Sequence, residues 1–230
     1  MKNIEWQDDR DIYGRMLSLT NSYLFTGLRN AVDNYDADLT DALAWGQLKS
    51  KRWLISELEK LDIDLGTVFL CAGWYAVLAG MMFESNLQFD KIRSFDIDES
   101  CASIADTINR RYVTDGWQFK ASTVDIHKIE YPATYITKKF SGEEQTLTDY
   151  PNTLINTSCE HIKNFNSWYT KIPQGMLCIL QTNNYFSVDE HINCSACLED
   201  FANQTPCTKL LFEGTLELSK YSRFMRIGYR

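Results

Sequence analysis

The chain has 230 residues, of which 44% are hydrophobic and 23% charged, and its formal net charge at pH 7 is -8. This length suits a single α/β domain with a sizeable core. The acidity disfavours a nucleic-acid partner, because such binding depends on neutralising phosphates with Lys and Arg. The basic run at 49–52 leaves a local patch, so the argument does not rule that partner out.

The location of the protein is predicted from what its sequence lacks. No apolar run approaches the roughly 18 residues of a membrane-spanning helix, and the first residues, MKNIE, do not resemble a signal peptide. Seven cysteines at scattered spacing are expected to be reduced thiols. We therefore expect a soluble cytoplasmic protein without a membrane partner, in the host cytoplasm if the gene is viral; its oligomeric state is left open.

The first quarter of the chain is predicted to be helical. Apolar residues recur at helical spacing within residues 9–62, and either Asp38 or Thr40 is expected to cap a second helix there. The predicted division is an N-terminal helical cap, residues 1–62, on a core, residues 63–230, in one compact unit. The apolar positions that indicate the helices are Leu17, Tyr23, Leu24, Leu28, Val32, Ala44, Trp45, Leu48, Trp53, Leu54, Leu58 and Leu61.

From Gly66 onward, short apolar strands alternate with helices, which predicts a doubly wound, mostly parallel sheet with right-handed crossovers. The predicted strands are 67–72, 91–96, 118–123, 152–157 and 175–182. The predicted helices are 75–85, 99–110, 161–170 and 188–203. Residues 126–150 are polar and aperiodic, and we expect an excursion beside the sheet. The last two runs, 209–217 and 223–229, predict an antiparallel hairpin that closes the sheet.

One stretch of this core points to nucleotide binding. Residues 66–75 read GTVFLCAGWY, and residues 92–98 read IRSFDID. The pattern is a buried strand, a turn with glycine, a helix, and a strand that ends in carboxylates, one of which can accept both ribose hydroxyls. The turn is not G-x-G-x-x-G, so the usual dinucleotide fingerprint is missing.

The order of these signals resembles class I S-adenosylmethionine-dependent methyltransferases, from about Gln47 to Arg230. The runs GQLKSK (46–51), NTSCEH (156–161) and YSRFMRIG (221–228) are similar to a group of phage- and virus-encoded methyltransferase-like proteins. The resemblance implies a Rossmann-like fold, S-adenosylmethionine as cofactor, and methyl transfer to an acceptor. The acidic composition favours a small-molecule acceptor.

The resemblance also implies a cofactor site. Gly73 stands where the family's glycine-rich loop passes the methionyl group, Asp96 where its ribose-binding acid stands, and Asp125 where a side chain contacts the adenine amino group. The family usually carries G-x-G-x-G at the turn, and this chain departs from it. The full predicted set is Lys49, Ser50, Cys71, Ala72, Gly73, Trp74, Asp96, Ile97, Asp125, Ile126, Asn156 and Thr157.

Each of these assignments has a structural alternative. Gly73 can serve the turn alone. Asp96 can be a solvated acid or a helix cap, although Asp98 is the more natural cap for the helix that begins at Glu99. Trp74 can form a pocket wall or fill the pocket. The run 47–53 can place a Lys or Gln against the cofactor carboxylate, or it can be a solvated helix face.

Glu160 and His161 are the predicted catalytic pair, since an acid and an imidazole follow the fourth strand, where ligands bind in open α/β sheets. The alternative is that Glu160 caps the next helix and His161 packs beside it. Cys159 is expected to be a core residue. After the fifth strand, Asn183, Asn184 and Tyr185 are predicted to contact the acceptor.

No metal site is predicted. His191, Cys194, Cys197 and Cys207 have suitable side chains for zinc, but their spacing does not suit one helical face. The hairpin residues Tyr221, Arg223 and Arg226 are expected to be structural, with either arginine pairing with an acid.

Two further functions stay open at this point. A nicotianamine-synthase-like enzyme would transfer the aminobutanoyl group of the same cofactor, and its second strand ends similarly. A protein that retained the fold without catalysis is the other alternative, supported by the single-glycine turn. Methylation of base nitrogens is disfavoured, because residues 156–159 do not match the D/N-P-P-Y/F motif.

Overall fold

The structure, a computed structural model, describes residues 22–35, 37 and 39–230. The helices are α1 (Tyr23–Tyr35), α2 (Trp45–Leu61), α3 (Val77–Phe83), α4 (Cys101–Ile108), α5 (Arg110–Thr114), α6 (Phe165–Tyr169) and α7 (Leu198–Gln204). The strands are β1 (Thr67–Cys71), β2 (Lys91–Asp96), β3 (Phe119–Thr123), β4 (Ala133–Lys138), β5 (Glu144–Asp149), β6 (Thr153–Asn156), β7 (Leu177–Asn183), β8 (Lys209–Glu217) and β9 (Ser222–Tyr229). Short 3-10 turns cover Ile126–Lys128 and Cys159–His161.

Seven strands form one sheet in the order β3-β2-β1-β6-β7-β9-β8. The first five are parallel, while β9 runs antiparallel to both β7 and β8. The predicted doubly wound, mostly parallel sheet with a C-terminal antiparallel hairpin is confirmed. The sheet reverses its winding between β1 and β6, so their carboxyl ends open a crevice.

The core lies on both faces of this sheet, because successive side chains of a strand point to opposite sides. In β1, Val68 and Leu70 pack with α2 and α3, whereas Phe69 and Cys71 pack with the residues around α6. All five β1 residues are buried, as expected for a central parallel strand.

The second predicted helix begins later than the sequence indicates. Helix α2 starts at Trp45 after Ala44, so Thr40 is not its N-cap. Leu17 and Asp38 lie outside the described residues. Helix α1 packs against α4 so closely that a Cβ on Gly27 would collide with the backbone carbonyl of Ile108. No helix in the described part of the chain combines the length and apolarity needed to cross a membrane.

The prediction of a helix over 188–203 is wrong in its first half, since α7 begins at Leu198. The backbone N–H of Asn193 donates to the carbonyl of Glu160 at 2.8 Å, and that of Ser195 donates to the carbonyl of Asn183 at 3.1 Å. These bonds to the strand ends replace the i to i-4 bonds of a helix. The segment therefore lies against the carboxyl edge of the sheet.

Residues 126–150, expected as an excursion beside the sheet, contain two strands that the sequence did not predict. Strands β4 and β5 form an antiparallel pair beside the main sheet. In β4 the buried positions are Ala133, Tyr135 and Thr137, while Ile136 points outward and is 58% exposed. Because the apolar Ile136 faces solvent and the polar Thr137 faces inward, the alternation of hydrophobicity that marks a strand is weak in the sequence.

Candidate cofactor and active site

The turn after β1 has an unusual backbone. Ala72, Trp74 and Ala76 have φ angles of 53°, 48° and 51°, in the left-handed region that favours glycine. These alternate positions match the spacing of G-x-G-x-G. The left-handed geometry therefore occurs here with L-residues at all three positions.

Gly73 has a different role from the one that its type suggests. Its φ is not left-handed, but a Cβ at this position would collide with Ser94 Oγ on β2. Its N–H donates to the carbonyl of Phe95 at 3.0 Å. Gly73 is therefore required because the turn approaches β2 closely.

Asp96 joins the turn to the end of β2. Its Oδ2 accepts a hydrogen bond from the N–H of Trp74 at 2.7 Å, and its Oδ1 accepts one from the N–H of Asp98 at 3.1 Å. Each carboxylate oxygen can accept more than one hydrogen bond, so the half-buried side chain keeps capacity for a ligand. Asp98 in turn accepts from the N–H of Ser100, but α4 begins only at Cys101 with Ser100 as its N-cap, so Asp98 caps the preceding turn and not the helix as predicted.

A cavity of about 350 Å³ opens beside the turn and Asp96. Seven predicted site residues line it: Ala72, Gly73, Trp74, Asp96, Ile97, Thr157 and His161. Lining residues that the sequence did not single out include Asp41, Leu70, Tyr75, Val77, Leu78 and Ser158. The Trp74 ring stacks on Tyr75, with centroids 4.7 Å apart, so it forms a wall of the cavity. Ile97 is 70% exposed and adds an apolar surface next to Asp96.

Lys51 is a buried lysine that lines this cavity. Burial and the neighbouring Arg223 lower the pKa of its amine from 10.5 to about 7, while Asp41 and Glu160 partly oppose that shift. Its Nζ donates to the neutral Gln47 Oε1 at 2.8 Å, and both residues line the cavity. In the sequence, Lys51 shares a helical face with Leu54 and Leu58, which indicates that this lysine points toward the core but not that it reaches a cavity.

Other predicted cofactor residues lie away from the cavity. Lys49 is exposed and does not line this cavity, and the Ser50 hydroxyl donates to the carbonyl of Gly46 at 2.6 Å. Cys71 and Asn156 are fully buried under the turn and the end of β6. Asp125 accepts from the N–H of His127 at 2.9 Å at the end of β3, followed by the buried Ile126. The structure does not bring these six to the cavity wall.

The predicted catalytic pair splits into a buried and an exposed member. Glu160 is 2% exposed, and its Oε1 accepts from Asn183 Nδ2 at 2.6 Å and from Arg223 Nη2 at 3.2 Å. His161 is exposed and lines the cofactor cavity. The predicted pairing of Arg223 and Arg226 with acids is confirmed, since Arg226 pairs with Glu213.

A second cavity of about 700 Å³ adjoins the first, and Asp41, Gln47 and His161 line both. Asn183 and Tyr185, two of the predicted acceptor residues, line this second cavity with His191. Tyr185 stacks on Tyr221 at a centroid distance of 5.3 Å. Asn184 is turned elsewhere, with its Oδ1 accepting from the N–H of Ser222.

The cysteines considered for zinc are dispersed. Cys194 Sγ lies 3.6 Å from Asn183 Oδ1, Cys207 Sγ lies 3.7 Å from Arg226 Nη2, and Cys197 is exposed at the start of α7. Cys159 is fully buried, and burial raises the pKa of its thiol well above its usual value. Cys159 is therefore a core residue, as expected.

No protein-family model and no curated protein sequence matches the chain. Its structure is similar to N-methyltransferase NodS from Bradyrhizobium japonicum WM9 in complex with S-adenosyl-L-homocysteine, with a TM-score of 0.60 and 6% identity over 91% of this chain and 99% of that one. It is also similar to magnesium protoporphyrin IX methyltransferase (ChlM) from Synechocystis PCC 6803 with bound S-adenosylmethionine, with a TM-score of 0.55 and 13% identity over 97% of each chain.

A third similar structure is geranyl diphosphate methyltransferase in complex with GPP and sinefungin, with a TM-score of 0.52 and 8% identity over 80% of this chain and 77% of that one. At these identities the similarity concerns the fold. None of these three proteins is described as viral, so the resemblance to a phage- and virus-encoded group stays a prediction. The chain has the Rossmann-like fold of class I S-adenosylmethionine-dependent methyltransferases.

Proposed function

We propose that this protein is an S-adenosylmethionine-dependent methyltransferase acting on a small-molecule acceptor. The observation that carries the proposal is the joint placement of the left-handed turn, Asp96 and Lys51 around one cavity at the carboxyl ends of β1 and β2. Ligands of open α/β sheets bind at this edge, beside the change in winding direction. The similar structures that contain S-adenosylmethionine or S-adenosylhomocysteine support the same cofactor here.

The chemistry of the cavity fits the parts of that cofactor. The Asp96 carboxylate would accept the ribose hydroxyls, and Ile97 would pack against the adenine. The Lys51 amine, protonated on binding, would pair with the carboxylate of the methionine moiety. Lys49, predicted for a cofactor contact, is replaced by Lys51 in this proposal, while a contact from Asp125 to adenine stays a prediction.

Methyl transfer asks little from the protein beyond alignment and removal of a proton. The cofactor supplies an electrophilic methyl group on a sulfonium. The methyl–sulfur bond breaks with its electron pair staying on sulfur, and a lone pair of the acceptor oxygen or nitrogen forms the new bond to carbon. The acceptor's proton leaves to a base or to water. His161 can contact the acceptor because it lines both cavities, whereas Glu160 acts through Asn183 and Arg223.

Calorimetric titration tests the cofactor assignment. We expect S-adenosylmethionine and S-adenosylhomocysteine to bind with micromolar affinity, corresponding to about -8 kcal/mol, and NADH not to bind. Asp96→Asn should weaken both by about 10- to 100-fold, since a hydrogen bond to a charged group contributes roughly 1.5–3 kcal/mol. Asp98→Asn is the matched control and should leave both affinities unchanged.

Product analysis then tests the reaction. S-adenosylhomocysteine is the product expected of methyl transfer, whereas methylthioadenosine would identify aminobutanoyl transfer instead. If neither S-adenosylmethionine nor S-adenosylhomocysteine binds, the proposal is wrong, and a protein that retained the fold without catalysis is favoured.

A further inference from the structure

We infer that Glu160, His161 and His191 form a binding site for one divalent transition-metal ion, between the cofactor cavity and the second cavity. One possible ligand atom of each residue lies within 4.8 Å of those of the other two. In tetrahedral coordination, ligand atoms at about 2.0–2.2 Å from one ion lie about 3.3–3.6 Å apart. Side-chain movements of about 1 Å, within the reach of rotamer adjustment, would therefore close the set around an ion.

Both imidazoles place Nδ1 against a backbone carbonyl, which leaves Nε2 for a metal ion. His161 Nδ1 lies 3.1 Å from the carbonyl oxygen of Glu190, and His191 Nδ1 lies 2.8 Å from that of Tyr185. A carbonyl oxygen can only accept, so each Nδ1 carries the proton and each Nε2 holds the free lone pair of the neutral ring. A hydrogen bond from the second ring nitrogen to a carbonyl is the usual support of a metal-bound histidine. The two rings are 4.7 Å apart between centroids.

Glu160 gives the second, independent observation. Its side chain is 2% exposed, and its Oε2 has no hydrogen-bond partner among the described residues. An unsatisfied carboxylate oxygen is costly when buried, because it has lost its hydration without a replacement. Oε1 is held by Asn183 and Arg223, so the side chain cannot simply turn out to solvent. A cation bound at Oε2 would supply the missing partner.

The ligand types decide the class of ion. Two imidazoles and one carboxylate suit Zn²⁺, Fe²⁺, Co²⁺ or Ni²⁺, whereas Mg²⁺ and Ca²⁺ prefer all-oxygen sites. The exposed His161 lines both cavities, which gives an ion a path of entry. Three protein ligands leave coordination positions for a further molecule, as in catalytic metal sites.

The role that we assign to the ion rests on the proposed methyltransferase function. An acceptor oxygen that binds the ion from the second cavity would be held beside the cofactor, and the ion would lower the pKa of its hydroxyl. The proton would leave to water, so His161 would act as a ligand and not as the base. The sequence predicts no metal site, since His191 is 30 residues from His161 along the chain.

Metal titration of the full chain, stripped with a chelator, tests the site without reference to turnover. We expect one Co²⁺ or Zn²⁺ per chain by calorimetry, with a visible absorption band for Co²⁺ in nitrogen and oxygen coordination. His191→Ala should weaken binding at least about 100-fold, because loss of even a supporting partner of a ligand costs 10–100-fold. His127→Ala is the matched control, since His127 is the one histidine of the sequence outside the cluster.

Glu160→Gln is a less suitable test because it would leave Arg223 buried without a counter-charge, and the variant can fail to fold. His191 is only partly buried, so its replacement should leave thermal unfolding nearly unchanged. Equal metal affinity in wild type, His191→Ala and His127→Ala would overturn the site. Titration with S-adenosylhomocysteine separates the two proposals, because His191 does not line the cofactor cavity. If the protein binds S-adenosylhomocysteine but no metal ion, the metal site is wrong and the proposed cofactor site stands.

Discussion

The two sides of the candidate site are built in different ways. At β1 and β2, the site consists of a turn with three left-handed residues and an acid that binds the turn's backbone, all within residues 72–96. At β6, β7 and β9, it consists of charged side chains from distant segments, with Glu160 joined to Asn183 and Arg223. The first side is organised by backbone conformation and the second by buried charge.

This difference determines how each side should respond to change. Backbone strain is local, so altering it should have modest effects of either sign. A buried ion pair depends on both members, because removal of one leaves the charge of the other buried without a partner and lowers the free energy of unfolding. Three substitutions separate these cases, taken from the largest expected effect to the smallest.

The largest effect is expected on the β6–β9 side. Arg223→Met leaves Glu160 buried without its cation, and we expect the free energy of unfolding to fall by about 3–5 kcal/mol. Urea denaturation monitored by circular dichroism measures this loss. Lys139→Met is the control, because the exposed Lys139–Glu143 pair should contribute less than about 1 kcal/mol. Similar losses in both variants would show that the buried pair is not the organising element.

An intermediate effect is expected where the two sides meet, at Lys51. The pKa of this amine is about 7 in the folded chain and 10.5 when unfolded, so between these values the unfolded chain binds more protons. Stability should therefore rise with pH from 7 to 10.5, and the penalty should be fully present below pH 7. Lys51→Met removes the buried charge, so we expect this variant to be more stable than the wild type at pH 6 and to lose that advantage as the pH rises to 10.5. Thermal unfolding across this pH range measures it.

The same substitution tests the proposed cofactor contact. Binding of a carboxylate should raise the pKa of Lys51, so S-adenosylhomocysteine binding at pH 8 should take up nearly one proton, and almost none at pH 5.5. Calorimetry in buffers of different ionisation enthalpy counts these protons. Lys51→Met should abolish the uptake, whereas Lys49→Met, on the exposed face of α2, should retain it. If Lys49→Met abolished the proton uptake and Lys51→Met did not, Lys49 would be the cofactor contact, as the sequence predicts.

The smallest effect is expected in the turn. Ala76 has a φ of 51°, so Ala76→Gly should relieve strain and raise stability by about 0.5–1 kcal/mol, after the loss of one buried methyl group. Ala79→Gly, three residues later in α3, should instead lower stability by about 1 kcal/mol. Guanidinium denaturation of the two variants compares them. A loss at both positions would show that the left-handed turn is not strained.

The fold was largely predictable because its signals are local. Residues 67–72 are an apolar run, residues 91–96 carry Ile92 and Phe95 before a carboxylate, and the structure has β1 and β2 almost at those limits. The strand pair β4–β5 was missed because Ile136 faces outward and Thr137 inward, so its burial does not follow hydrophobicity. The turns before α7 were missed because the bonds that replace the helix run to distant strand ends.

By itself, the sequence determined the strand–turn–helix–strand unit and the placement of Asp96 at its end, since each depends on neighbours within a few residues. The tertiary structure decided which lysine of α2 faces the cavity, that Glu160 is buried against Arg223, and that His161 approaches His191. These relations depend on how helices rotate against the sheet and on how loops 30 to 63 residues apart meet at one edge. Sequence spacing does not encode such long-range contacts, because packing of the whole core sets them.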